Sequence, residues 1–249
     1  MASRADTTGS AAAAAAAAGA GTAGPAIGEG FRAAATDFYF NSWRLVPANV
    51  IWGIAAMAVA AILFVWPPAG LAALPLLALP TVGVFRVAAR IVRSDGDVSF
   101  RDAFAAMRAY AAPTLLLGVA FVATSFILAT NVIVAITGAD PARWAIGTLA
   151  AWGLVIEWSL ALAVWPLLVD PARADASAVN RLRLAVLVLL AQPARSATLG
   201  IMAAAIVVVS TLLTAALLTV GVAFVALVAC RFVYPIADRL EVRLVSRRT

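Results

Sequence analysis

The chain has 249 residues, of which 64% are hydrophobic and 12% charged, and a mean hydropathy of +1.01, values that exclude a water-soluble single-domain enzyme. Its 18 basic residues are all arginine and, against 12 acids, leave a net charge of +6. Histidine is absent and Cys230 is the single cysteine, so disulfide frameworks, Cys/His zinc sites and histidine acid–base chemistry lack their raw material.

Residues 1–30 are of low complexity: the alanine run Ala11–Ala18 precedes Gly19, Gly21, Gly24, Pro25, Gly28 and Gly30, with almost no large apolar side chain to bury. The composition predicts a disordered cytosolic tail. A lone Arg4 with Asp6 ahead of weakly apolar alanines is not the basic and leucine-like pattern of a signal peptide, so the tail is expected to be retained. Asp6 and Glu29 also argue against a transit peptide.

The remainder, residues 31–249, reads as one all-α transmembrane domain of six spans near 45–66, 70–90, 111–138, 144–169, 197–218 and 220–236. Leu45 to Trp66 carries no charge and measures about 33 Å as a helix, which matches a hydrocarbon core of about 30 Å. Tyr39, Phe40, Trp43 and Trp66 mark its ends with rings suited to headgroup depth. Pro67, Pro68 and Gly70 force a turn. The next apolar run, Leu71 to Phe85, is only about 22 Å long, so crossing requires Arg86 to extend its guanidinium to the interface. Pro75 and Pro80 bend it, and a re-entrant segment is the rival geometry.

Asp95 to Tyr110 sets Phe100, Phe104 and Met107 opposite Arg101 and Arg108, the pattern of an interfacial helix, which Ser99 and Asp102 start as a weak capping box. Residues 111–138 and 144–169 are the third and fourth spans. Asp170 to Arg195 surrounds the apolar octet Leu184–Ala191 with arginines and is too short to cross, so a cytosolic or interfacial helix ending at Pro193 is expected. Ala197 to Ile236 holds forty residues and one charge, Arg231, about 60 Å as one helix, hence two spans turning near Thr219–Gly221. A single crossing there gives five spans instead.

Arginine placement supports six. With the amino terminus inside, the segments before Leu45, from Arg86 to Arg108, from Arg173 to Arg195 and from Arg231 onward hold three, five, four and five arginines, and the opposite side holds Arg143 alone. The positive-inside rule then puts both termini in the cytoplasm. The positive charge thus expresses topology and attraction to the lipid bilayer's anionic headgroups, not nucleic-acid binding.

Asn49-Val50-Ile51-Trp52, then Pro80-Thr81-Val82-Gly83-Val84-Phe85-Arg86-Val87-Ala88-Ala89-Arg90 and Val98-Ser99-Phe100-Arg101-Asp102-Ala103-Phe104 resemble the YesL-like family of bacterial integral membrane proteins over roughly residues 35–195. The resemblance implies a small helical protein of the bacterial inner membrane, of unknown biochemical activity, often encoded beside binding-protein-dependent sugar importers. It implies no catalytic residue and no cofactor. The motif residues also have packing roles available. Asn49 can bond a neighbouring helix, Trp52 can pack between helices, and Thr81 can bond a carbonyl freed by Pro80.

Glu157 is the one acid deep in an expected span, near the bilayer midplane, and the small residues Ala150, Gly153 and Ala161 on its face point it into the bundle. Three roles compete: a neutral acid bonding a hydroxyl such as Ser125 or Ser210, a proton-coupling site, and a polar contact in a binding cavity. Trp152, Trp158 and Trp165 lie in the same region. They suit either a carbohydrate cavity or, more simply, bundle core for the first two and interfacial belt for the third. Cys230 reads as a packed small side chain or an interfacial thiol, with acylation as an alternative. No phosphate loop, serine elbow or carboxylate pair is present, so the chain reads as non-enzymatic. An accessory role beside a sugar importer, a secondary transporter using Glu157, and a structural or lipid-binding scaffold are the functions left open.

Overall fold

A computed structural model of the chain describes residues 27–138, 140–213 and 216–246, and among them there is helix and no strand. Among the described residues six helical segments are long and apolar enough to cross a membrane. The expected disordered tail lies outside the described residues as far as residue 26. Its last residues belong to the first helix.

That helix, α1 (Ile27–Val65), has 39 residues and an expected length of about 58 Å, far more than a bilayer core needs. The tail boundary near residue 30 and the span start at Leu45 therefore fall inside one element. Its first half packs on the last helix, where Asp37 pairs with Arg231 at 2.6 Å and Phe31 meets Phe224 edge-on at 5.3 Å.

The chain reverses at Trp66. Helix α2 (Pro67–Ala73), a 3-10 turn (Leu74–Leu77) and α3 (Ala78–Arg93) follow without a break as one helical run of 27 residues, long and apolar enough for a second crossing. Gly70 makes the reversal possible, because a Cβ there would overlap the backbone of Leu63. Pro75 sits in the first two positions of the 3-10 turn, where its missing N–H costs nothing, and the tighter winding takes up the bend. Beyond it Val82, Val84, Val87, Ala88 and Ala89 are fully buried, which makes α3 a central helix.

Helix α4 (Arg101–Ala109) has half of the expected capping box: the Ser99 N–H donates to Asp102 Oδ2 at 2.8 Å, while Ser99 Oγ accepts from Arg101 N–H. It packs on α3 through Ala103 and Ala106, leaving Phe104 exposed. Helices α5 (Ala111–Ile136) and α6 (Pro141–Val169) form an antiparallel hairpin. They cross where a Cβ on Gly147 would strike the Ala135 methyl. Asp140 caps α6 by accepting from Ala142 N–H at 3.0 Å, with Pro141 at the first helical position.

Helix α7 (Ala178–Ala191), capped by Ser177, turns Leu184, Ala185 and Val188 inward and stops before Pro193 as expected. Helix α8 (Pro193–Leu212) and α9 (Val222–Ser246) give the last two spans. Their connection comes earlier than residues 219–221, because α8 ends at Leu212 and Leu217–Gly221 is already a π-helical turn leading into α9. In the most apolar stretch of α9, 67% of residues are buried, against 6% in α5. Helices α3 and α9 therefore form the core together with the C-terminal half of α6, where Leu162 to Val169 are all buried, while α5 stands at the flank facing outward.

Candidate functional site

The residues singled out from sequence separate into three places. The first joins α1 to α3 and α9. The Trp52 indole N–H donates to Thr81 Oγ1 at 3.0 Å, and that hydroxyl donates to Leu77 O at 2.7 Å. The carbonyl it bonds is its own i−4 partner, one residue beyond Leu76 O, the group that Pro80 cannot reach. Asn49, one turn earlier on α1, is fully buried, and its Oδ1 accepts from Ala223 N–H at 2.8 Å. Ala223 follows the π-helical turn, where the hydrogen-bond register changes and the regular ladder is interrupted. Asn49 and Trp52 are thus both interhelical bonding residues, one to backbone and one to a side chain.

The second place lies between α5 and α6. Ser125 Oγ donates to Glu157 Oε2 at 3.0 Å, while Glu157 Oε1 is buried with no hydrogen-bond partner among the described residues. Ser210, the other hydroxyl considered, is buried elsewhere on α8 and is not its partner. Glu157 is half-buried, in a groove of about 320 Å³ walled by Phe121, Leu154, Trp158, Ala161 and Trp165. The acid therefore faces α5 at the flank and not the centre of the bundle. The tryptophans also exchange their expected places. Trp165 is 9% exposed and packs on Phe121 at 5.9 Å, whereas Trp152 is 63% and Trp158 37% exposed. The Trp158 N–H is engaged nonetheless, donating to Gly200 O at 3.0 Å.

On the far side of Trp158, Ala161 and Trp165 a second hollow of about 280 Å³ opens toward Trp52, Thr81, Phe85 and Val225. Its wall is nearly all hydrocarbon; the polar groups of Trp52, Thr81 and Trp158 are already bonded to protein, which leaves the Trp165 indole N–H as the one side-chain donor of the lining without a hydrogen bond among the described residues. A sugar placed there would strip its hydroxyls of water without replacing the hydrogen bonds, at a cost of about 1–3 kcal/mol per unpaired group. Stacking on indole faces does not offset several such losses.

The third place, at the arginine-rich end, was not legible as a site. A helix leaves its last four carbonyls without intrahelical partners. In α6 three of these are taken by side chains from other helices: Pro166 O by Tyr234 OH at 3.1 Å, Leu168 O by the Arg181 guanidinium, and Val169 O by Arg86 at 2.7 Å. Arg86 therefore reaches the end of α6, where that helix leaves its apolar stretch, and Arg181, 5% exposed, also donates to Ala174 O at 2.8 Å. Asp170, fully buried, is bonded by Arg173 and by Arg93 at 2.7 Å. Both guanidiniums also reach Asp238 on α9, at 2.8 Å from Arg93 and 2.6 Å from Arg173. Arg173 continues to Glu241 at 2.7 Å, and Arg93 lies over the Tyr234 ring at 4.3 Å. Burial works against charge on Arg173, but Glu241, Asp238 and Asp170 outweigh it and hold its guanidinium above the ordinary arginine value. Cys230 is fully buried in α9, a packed small side chain as one reading had it.

No family model, curated protein or solved structure matches the chain. The YesL-like resemblance rests on the quoted motifs alone.

Proposed function

We propose that the chain is a non-enzymatic accessory component of a bacterial inner-membrane assembly, with the membrane subunits of a carbohydrate importer as its partner and both termini in the cytoplasm. The resemblance supplies the partner class. The observation that carries the non-transporting part of the reading is the clamp on the α6 C-terminus. Side chains from α3, α7 and α9 converge on it, and the Arg93–Asp170–Arg173–Asp238 network ties α3, the α6 end and α9 together beneath a hollow with almost no free polar group. Such a hollow gives a hydrophilic solute little to bind. Extraction in a mild detergent followed by mass spectrometry of co-purifying proteins tests the reading: importer subunits are expected, and their absence would end it.

A secondary transporter using Glu157 is the second reading. The unpartnered Glu157 Oε1 in a groove favours it, and it predicts proton-coupled uptake into liposomes by the protein alone.

A further inference from the structure

The groove at Glu157 and the aromatic hollow are neighbours with a common wall. Trp158, Ala161 and Trp165 line both, and the thinnest side chain between them is the Ala161 methyl. The groove is about 320 Å³ and the hollow about 280 Å³, each near the lower end of the range of roughly 300–1,000 Å³ typical of small-ligand sites. The groove contributes an unsatisfied polar atom and the hollow an almost wholly apolar lining, so the combined site is amphipathic.

We propose that this double cavity holds a neutral, single-chain lipid alcohol, its hydroxyl on Glu157 and its hydrocarbon chain running past Ala161 into the hollow between Trp52, Phe85 and Trp165. Three observations select this class. Among the described residues Glu157 Oε1 is buried without a partner, while Oε2 is held by Ser125. An ionised carboxylate needs a donor at Oε1, and a protonated one needs an acceptor or a donor according to which oxygen carries the proton. A hydroxyl supplies both.

Depth is the second observation. Glu157 stands twelve residues before Val169, about 18 Å along α6, and Val169 O is the carbonyl taken by Arg86 at the arginine-rich end. Sixteen residues, about 24 Å, separate it from Pro141 at the other end of the helix. That places the carboxyl well inside a hydrocarbon core of about 30 Å, where a phosphate or an ammonium headgroup cannot follow without a large desolvation cost. A hydroxyl can. The third observation is the apolar wall of the hollow, which matches a hydrocarbon chain and penalises a polar one. The groove opens on half-exposed residues of α5 and α6, so the ligand enters sideways from the bilayer.

The test uses the full chain in phosphatidylcholine nanodiscs and the quenching of its tryptophan fluorescence by bromine. The probes are 9,10-dibromooctadecan-1-ol and the matched alkane 9,10-dibromooctadecane, which has the same chain and no polar group. Saturable quenching is expected, with the alcohol half-saturating at about fivefold lower mole fraction than the alkane, the ratio set by one hydrogen bond of ordinary strength in a membrane interior. Glu157→Leu should erase the difference between the probes, and Glu157→Gln should retain it. Ala161→Phe, which blocks the common wall, should abolish saturable quenching by both, while Trp158→Phe and Trp165→Phe should reduce its amplitude. The proposal is overturned if alcohol and alkane quench alike in the parent, or if Ala161→Phe leaves the curve unchanged. It is equally overturned if a photo-crosslinker at Leu154 captures a second protein chain where the lipid should sit.

Discussion

Removing the Arg173 side chain tests the network at the arginine-rich end. Arg173 is 7% exposed and donates to three carboxylates: Asp170, Asp238 at 2.6 Å, and Glu241 at 3.0 and 2.7 Å. Charge-assisted hydrogen bonds are worth about 1.5–3 kcal/mol each, but that gross value overstates the loss. Asp238 and Glu241 have side chains 44% and 46% exposed, so water replaces part of what they lose. Asp170 has no such recourse: it is fully buried and keeps only Arg93 and the Ala172 N–H. Arg173→Ala also leaves three acids facing one guanidinium. The net effect should be about 3–5 kcal/mol of destabilisation, the range for breaking one side of a buried ion pair. Arg173→Lys keeps the charge and loses the planar fork, so it should fall between the parent and the alanine variant. Thermal unfolding of detergent-solubilised variants, with a denaturant series for the free energy, reads both. A loss below about 1 kcal/mol for Arg173→Ala would show that the guanidinium is solvated and that the clamp is not an energetic unit.

Other substitutions probe the membrane-embedded parts. Glu157→Gln should change stability by no more than about 1 kcal/mol, since the amide still accepts from Ser125. Glu157→Lys should be severe in the same assay, with an insertion cost of about 2.5–3.5 kcal/mol at the midplane, and a Lys variant as stable as the parent would mean the groove is hydrated. Gly147→Val should push α5 from α6 and cost about 1–3 kcal/mol, and Ala135→Gly in the same chain should recover part of it, because the inserted Cβ meets the Ala135 methyl. Single cysteines at Ala142 and Ser246, both exposed, in a Cys230→Ala background should label from outside only at residue 142 if both termini are cytoplasmic, and outside labelling at Ser246 would contradict that placement.

Much of the fold was legible because each crossing is written locally. Apolar length separates the spans, Pro67 and Gly70 mark the first reversal, and the arginines divide the last forty apolar residues into two crossings. The Ser125 bond to the one deep acid was legible for the same reason, whereas Thr81 bonds Leu77 O and not Leu76 O, the carbonyl that Pro80 frees. The places of Trp152 and Trp165 were not, because burial in a membrane helix depends on which neighbour covers each face, and hydropathy sees only composition. The network was missed for a further reason. Arg93, Asp170 and Asp238 are separated by 77 and 145 residues along the pairs they form. Each sits just past an apolar run, where a charge is fully explained by the membrane boundary. Counting arginines by side used the cations and left their acidic partners unread. One signal was available: Asp170-Pro171 directly after a long span marks a helix end whose carbonyls need outside donors.

The central claim is that this bundle does not itself pass a solute, and proteoliposomes test it most directly. The purified chain, reconstituted alone with a pH-sensitive dye inside and an imposed proton gradient, should move neither protons nor added monosaccharides above the rate of empty liposomes. Uptake that depends on the gradient, is abolished by Glu157→Gln and survives Glu157→Asp would contradict the claim and make Glu157 a proton-coupling residue.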